Sequence, residues 1–81
     1  ARALCEKSGR RPAWIRGLDH RVDAQNLGVR DLAACPSARI AAEKAGVGRG
    51  PVDVAEIYAP FTHQEILLRR EMGLPPDARV N

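Results

Sequence analysis

The chain has 81 residues, 13 of them basic and 10 acidic, giving a net charge of +3 at neutral pH. At this length it buries only a modest share of its surface as a folded unit, and no apolar run of about 18 residues is present to form a helical membrane span. No signal-peptide pattern opens the chain, and positive and negative residues are interspersed, which favours a solvated surface over a nucleic-acid footprint.

Ala1 to Ser8 reads as the last turns of a helix with Ala3 and Leu4 inward and Gly9 as its stop. Lys7, Arg10 and Arg11 follow as a basic cluster. A helix carboxyl end attracts such charge; the alternative is that the cluster faces phosphates of a ligand or a partner protein. Ala13 to Leu18 is a predicted strand, set off by Pro12 and weakened by Gly17, with Trp14 as a packing residue. Asp19 to Gly28 is polar and aperiodic, a loop of the kind that borders sites. Asp19, His20 and Asp23 carry a weak metal signal, since only one histidine is local; a hydrogen-bonded loop histidine is the simpler reading of His20.

Cys5 and Cys35 share no metal or redox spacing, so the expected context is reducing and cytoplasmic. Cys35 precedes Pro36 at a predicted helix start, where a dipole can stabilise a thiolate; the plainer role is an inert packed thiol. Ala38, Ala41, Ala42 and Ala45, with Ile40 alongside, form a narrow apolar face opposite Arg39, Glu43 and Lys44. Gly46 and Gly48 end that helix.

Val52 to Tyr58, bounded by Gly50-Pro51 and Pro60, has the length and punctuation of a buried strand. A helix follows at once. Thr62 and Glu65 have capping-box spacing, and Phe61 and Ile66 fit a hydrophobic staple. Ile66, Leu67 and Met72 are expected to face the core. Gly73 supplies a left-handed stop, Leu74 can pack back on Leu68, and Pro75-Pro76 prevents continuation. The predicted order of helix, strand, loop, helix, strand, helix belongs to a layered α/β architecture with too few strands to close a sheet. Residues at the carboxyl end of a strand border the ligand crevice of open α/β sheets, which makes Tyr58 to His63 the candidate site.

The block Ala38 to Gly46, followed by Val52 to Thr62, resembles the thiolase superfamily, in particular the lipid-transfer-protein and sterol-carrier-protein thiolase branch. The resemblance runs from Pro36 to Leu74 and is weak before Asp31. In those families an alanine-rich helix leads to a strand, then to a segment with asparagine or histidine two or three residues before a phenylalanine. That polar residue helps hold the thioester oxygen. Here the position three before Phe61 is Tyr58, a substitution similar to that of the thiolase-like aldolases of steroid side-chain degradation.

The resemblance implies a segment of a thiolase-fold layered αβα domain, with residues 1–81 forming part of a C-terminal thiolase-like domain that is incomplete on its own. It also implies retro-aldol cleavage of a steroid side-chain β-hydroxyacyl-CoA to a ketosteroid and a short acyl-CoA. Coenzyme A would enter as part of the substrate, with no separate cofactor and no metal. The partners implied are a thiolase-type homodimer and an OB-fold acyl-CoA-binding protein. Tyr58 would be catalytic, with His63, Phe61 and His20 as substrate-binding candidates.

A phenol keeps its proton at neutral pH, so Tyr58 suits making or quenching an enolate better than serving in a simple oxyanion pocket. An ordinary strand-end aromatic is the competing reading. The same holds for His63, which also reads as a solvent-facing residue of the first helical turn. Two other functions stay open. One is a 3-ketoacyl-CoA thiolase of the sterol-carrier-protein type, which needs a nucleophilic cysteine outside this segment. The other is a non-enzymatic basic binding module, disfavoured by the 4% aromatic content and the absence of a recognised nucleic-acid-binding motif.

Overall fold

A computed structural model describes residues 2–26 and 28–81. The elements are α1 (Arg2–Ser8), α2 (Pro36–Ala45), β1 (Val54–Ala55), α3 (Thr62–Glu71) and β2 (Arg79–Val80). The class is mixed helix and strand. The two strands pair in parallel, with Val54 opposite Arg79 and Ala55 opposite Val80. Parallel neighbours need a crossover of a dozen or more residues, and α3 supplies it, so β1, α3 and β2 form one βαβ unit.

Both longer helices stop where the sequence says. Gly46 has φ 90°, its N–H reaches the Glu43 carbonyl at 3.1 Å, and the Val47 N–H reaches Ala42 at 3.0 Å. That pair of bonds is a Schellman motif, which needs a left-handed residue at the glycine. Gly73, at φ 63°, repeats it, with Gly73 N–H on Arg70 and Leu74 N–H on Arg69, both at 3.1 Å. Gly9, at φ 67°, follows α1 in the same conformation. The alanine face of α2 is also as expected: Ala42 is buried and Ala38, Ala41 and Ala45 are half-buried.

Several expectations are corrected. Residues 13–18 form no strand but an exposed, irregular segment, and Trp14, at 62% exposure, is not a core residue. The physical reason lies in Gly17, which approaches the Ala45 carbonyl so closely that a Cβ there would collide with it. The segment passes the end of α2 and finds no strand to pair with. The strand predicted over 52–58 contracts to Val54–Ala55, because its neighbour, β2, is two residues long. With no second neighbour among the described residues, Val54 stays 59% exposed.

The start of α3 differs as well. Phe61 rather than Thr62 is the N-cap; the Gln64 Oε1 accepts from the Phe61 N–H at 3.3 Å, while Glu65 turns to Arg69 at 3.3 Å. Phe61 and Ile66 are both mainly exposed, so they form no buried staple and Ile66 does not enter a core. Leu4 likewise points outward from α1 at 71% exposure; a helix of seven residues with no element packed on it has nothing to bury the side chain against.

Among the described residues the only buried hydrophobic side chains are those of Ala42 and Ala78. The radius of gyration is 15.9 Å, against roughly 12 Å for a compact chain of this length. The accessible surface is 7249 Å², where a folded monomer of this mass exposes about 4,800 Å². No helix of the described residues is long and apolar enough to cross a membrane.

Candidate functional site

The site is assembled from the turn before α2 and the first half of α3. Asp31 shapes the turn: its Oδ1 accepts the Ala33 N–H at 2.9 Å and its carbonyl accepts the Ala34 N–H at 3.2 Å. Arg70, on the last turn of α3, donates to the Ala33 carbonyl at 2.6 Å and so ties the turn to the helix. Behind the turn, Asp23 accepts the Ser37 N–H at 3.0 Å, the Ser37 hydroxyl at 2.7 Å and the Cys35 thiol at 3.4 Å. These bonds, led by that from the Ser37 hydroxyl, hold the Asp23 carboxyl below its ordinary value, with Arg30 at 3.8 Å adding to the effect.

Between these walls lies a cleft of about 380 Å³. Tyr58, Pro60, His63, Gln64 and Leu67 line one side, and Arg30, Leu32 and Cys35 the other. A second cleft of about 430 Å³ shares Leu32, His63 and Leu67 with it and continues along Ile66 toward Arg70. Tyr58 is 90% exposed, and among the described residues its hydroxyl has no hydrogen-bond partner. The His63 ring stacks on Phe61, with centroids 5.9 Å apart and planes at 16°. This contact orients the imidazole at the point where the two clefts meet.

Of the residues singled out in the sequence, Tyr58, His63 and Phe61 therefore come together. His20 lines neither cleft. Its backbone N–H bonds Asp19, whose carboxyl is held below its ordinary value chiefly by the Arg21 guanidinium at 3.0 Å. The Asp19 carboxylate is thus shared between Arg21 and the His20 backbone N–H, and Asp23 is committed to Ser37. Among the described residues no group of three or more His, Cys, Asp or Glu is placed to hold a metal ion. Cys35 is half-buried and directs its thiol proton to Asp23, the arrangement of a packed hydrogen-bonding group.

Gln64 reads from the sequence, like His63, as either crevice-facing or solvent-facing; sequence reasoning missed its capping of α3, along with Arg30 on the opposite wall and Arg70 as the tether. Gln64 carried a signal in its spacing, since it stands three residues after the actual N-cap. Arg30 and Arg70 carried none, because their roles depend on contacts far apart in sequence. Comparison with protein-family models, with curated proteins and with solved structures gave no match to this chain.

Chemically, the cleft presents a phenol three residues beyond the end of β1, the imidazole of the second residue of α3, and Leu32, Leu67 and Leu68 as apolar lining. A phenol and an imidazole lining one cleft can exchange protons with a substrate carbon or hydroxyl.

Proposed function

We propose that this chain contributes the acid–base tyrosine of a thiolase-like aldolase that cleaves a steroid side-chain β-hydroxyacyl-CoA into a ketosteroid and a short acyl-CoA. The observation that carries the reading is Tyr58: exposed, free of hydrogen bonds, lining a cleft beyond β1, at the position where the resembling families hold the thioester oxygen. The resemblance over Pro36 to Leu74 supplies the reaction class. The βαβ order of β1, α3 and β2 is compatible with the layered αβα sheet that the class uses, and the surface in excess of a compact monomer suits a segment packed against more protein.

In the reaction, a base removes the proton of the β-hydroxyl and the carbon–carbon bond breaks. The electron pair passes to the thioester enolate, and an acid protonates the enolate carbon. Tyr58 takes one of these two roles, and the other group lies outside the 81 residues. No acyl-enzyme cysteine is needed, in keeping with the commitment of the Cys35 thiol to Asp23. A thiolase-type homodimer and an OB-fold partner that helps bind the acyl-CoA complete the proposed assembly.

The test is release of a short acyl-CoA from a steroid β-hydroxyacyl-CoA by the protein assayed with its OB-fold partner. Exchange of acyl groups with coenzyme A in place of cleavage would assign the protein to the acyltransferase class, with Tyr58 standing at an oxyanion position.

A further inference from the structure

A cleft of about 590 Å³ lies apart from the Tyr58 site, at the carboxyl end of α2, and is larger than either cleft beside His63. Its charged lining consists of Arg16 and Arg49; Ala45, Gly46, Val47, Gly50, Pro51 and Val52 make up the rest, so no carboxylate faces it. A glycine places the first of these arginines. Gly17 lies against the Ala45 carbonyl with no room for a Cβ, which fixes the neighbouring Arg16 beside the end of the helix. Arg49 folds over Gly46, where an added Cβ would stand in ordinary contact, 3.5 Å from the Arg49 Cδ and 3.8 Å from its Nε and Nη1.

The negative pole of a helix accounts for one nearby cation, but it does not use these guanidiniums as donors. The Schellman bonds from Gly46 and Val47 already occupy the Ala42 and Glu43 carbonyls. Among the described residues neither Arg16 nor Arg49 forms an ion pair or a side-chain hydrogen bond, a state shared by Arg10, Arg11 and Arg79, whereas Arg2, Arg21, Arg30, Arg39, Arg69 and Arg70 each have a carboxylate; Arg16 and Arg49 differ from the other three in lining one cleft together. Arg16 and Arg49 both line this cleft, so a dianion bound there meets two positive groups. The planar fork of arginine matches phosphate oxygens in bidentate fashion.

We infer that this cleft binds the phosphate end of a small molecule, a phosphomonoester or a diphosphate, with the organic part laid on Val47, Pro51 and Val52. The site stands independently of the role given to Tyr58. The test is titration of the intact protein with inorganic pyrophosphate and with ADP, read by calorimetry and by the amide shifts of Gly46 to Gly50. Saturable binding is expected, weakened on the order of tenfold by Arg16→Gln or Arg49→Gln, the size of a lost charge-assisted contact. Arg11→Gln, elsewhere on the basic surface, leaves it unchanged. Tighter binding of ADP than of pyrophosphate shows that the apolar wall takes the organic part, and equal binding shows that phosphate alone is read. Arg16→Lys, which keeps the charge and loses the fork, weakens binding as well and serves should Arg16→Gln not fold by circular dichroism. Lack of saturation, or an equal loss in Arg11→Gln, overturns the site and leaves only diffuse attraction to a basic surface.

Discussion

The Asp23 carboxylate closes the amino end of α2 from 14 residues away, accepting both the backbone N–H and the hydroxyl of Ser37, at 3.0 and 2.7 Å. A helix amino end leaves its first N–H groups without partners, and Cys35, the N-cap residue, supplies no side-chain acceptor for them. The loop carboxylate does what a local cap would do. It also holds the segment around Asp23 against the turn that forms one wall of the candidate site.

A pH prediction follows. The folded-state carboxyls of Asp23 and Asp19 both lie below the ordinary value of 3.8. A depressed folded value stabilises the fold above the unfolded value, and that stabilisation is lost as pH falls through the folded one. The melting temperature is expected to decline as pH drops below about 4. Asp23→Asn should lower the melting temperature near neutral pH and flatten that decline. A slope identical to wild type would show that the Asp23 bonds do not persist in solution.

Gly17→Ala should destabilise the chain by about 1 to 3 kcal/mol, the usual range for forcing an extra methyl group into an occupied site, because the new Cβ meets the Ala45 carbonyl. Gly48→Ala is the control, with nothing within 4 Å of the added carbon. Denaturant unfolding of the two variants reads the difference directly.

The helix ends were legible in the sequence because they are local. Gly46 and Gly73 each stand at a position whose left-handed backbone belongs to a motif of neighbouring residues, and the alanine face of α2 is visible from its period. The sheet was less legible because a strand exists only through its partner. Ala13 to Leu18 has strand-like residues but meets the end of α2, and Arg79–Val80 is too short to announce itself as β2. Thr62 is the better intrinsic cap, yet Gln64 made Phe61 the N-cap through its side-chain bond. At the candidate site, Tyr58, Phe61 and His63 were found from one contiguous stretch. Arg30, Arg70 and the capping role of Asp23 arise from long-range contacts that no spacing rule encodes.

Arg69 links α3 to the strand that follows it. Its Nη2 donates to the carbonyl of buried Ala78 at 3.1 Å, and its Nε, buried and 3.3 Å from the Glu65 carboxylate, lacks hydrogen-bond alignment with it. Arg69→Met keeps the apolar stem and removes the donor. Amide exchange at Arg79 and Asn81, whose N–H groups donate to the Asp53 and Ala55 carbonyls at 3.1 and 3.0 Å, should accelerate in this variant while α2 is unaffected. Unchanged exchange at both amides would mean that β2 is held by its backbone bonds alone.

The carboxyl stop of α3 offers a further check. Gly73→Ala places a Cβ on a residue at φ 63°, which costs about 1 to 2 kcal/mol for a left-handed L-residue. Gly50→Ala, where φ is not positive and nothing lies within 4 Å, should be near neutral by comparison in thermal unfolding.

The proposed aldol cleavage needs the Tyr58 hydroxyl, and Tyr58→Phe removes it with little effect on packing, since the ring is largely exposed. The measurement is the rate of acyl-CoA release from a steroid β-hydroxyacyl-CoA by wild type and variant, each assayed with the OB-fold partner, beside the affinity of each for that substrate. The predicted result is cleavage by the wild type that falls by roughly 10²-fold or more in the variant while substrate binding is kept. Cleavage that survives in Tyr58→Phe, or a wild type that exchanges acyl groups with coenzyme A and cleaves nothing, would contradict it.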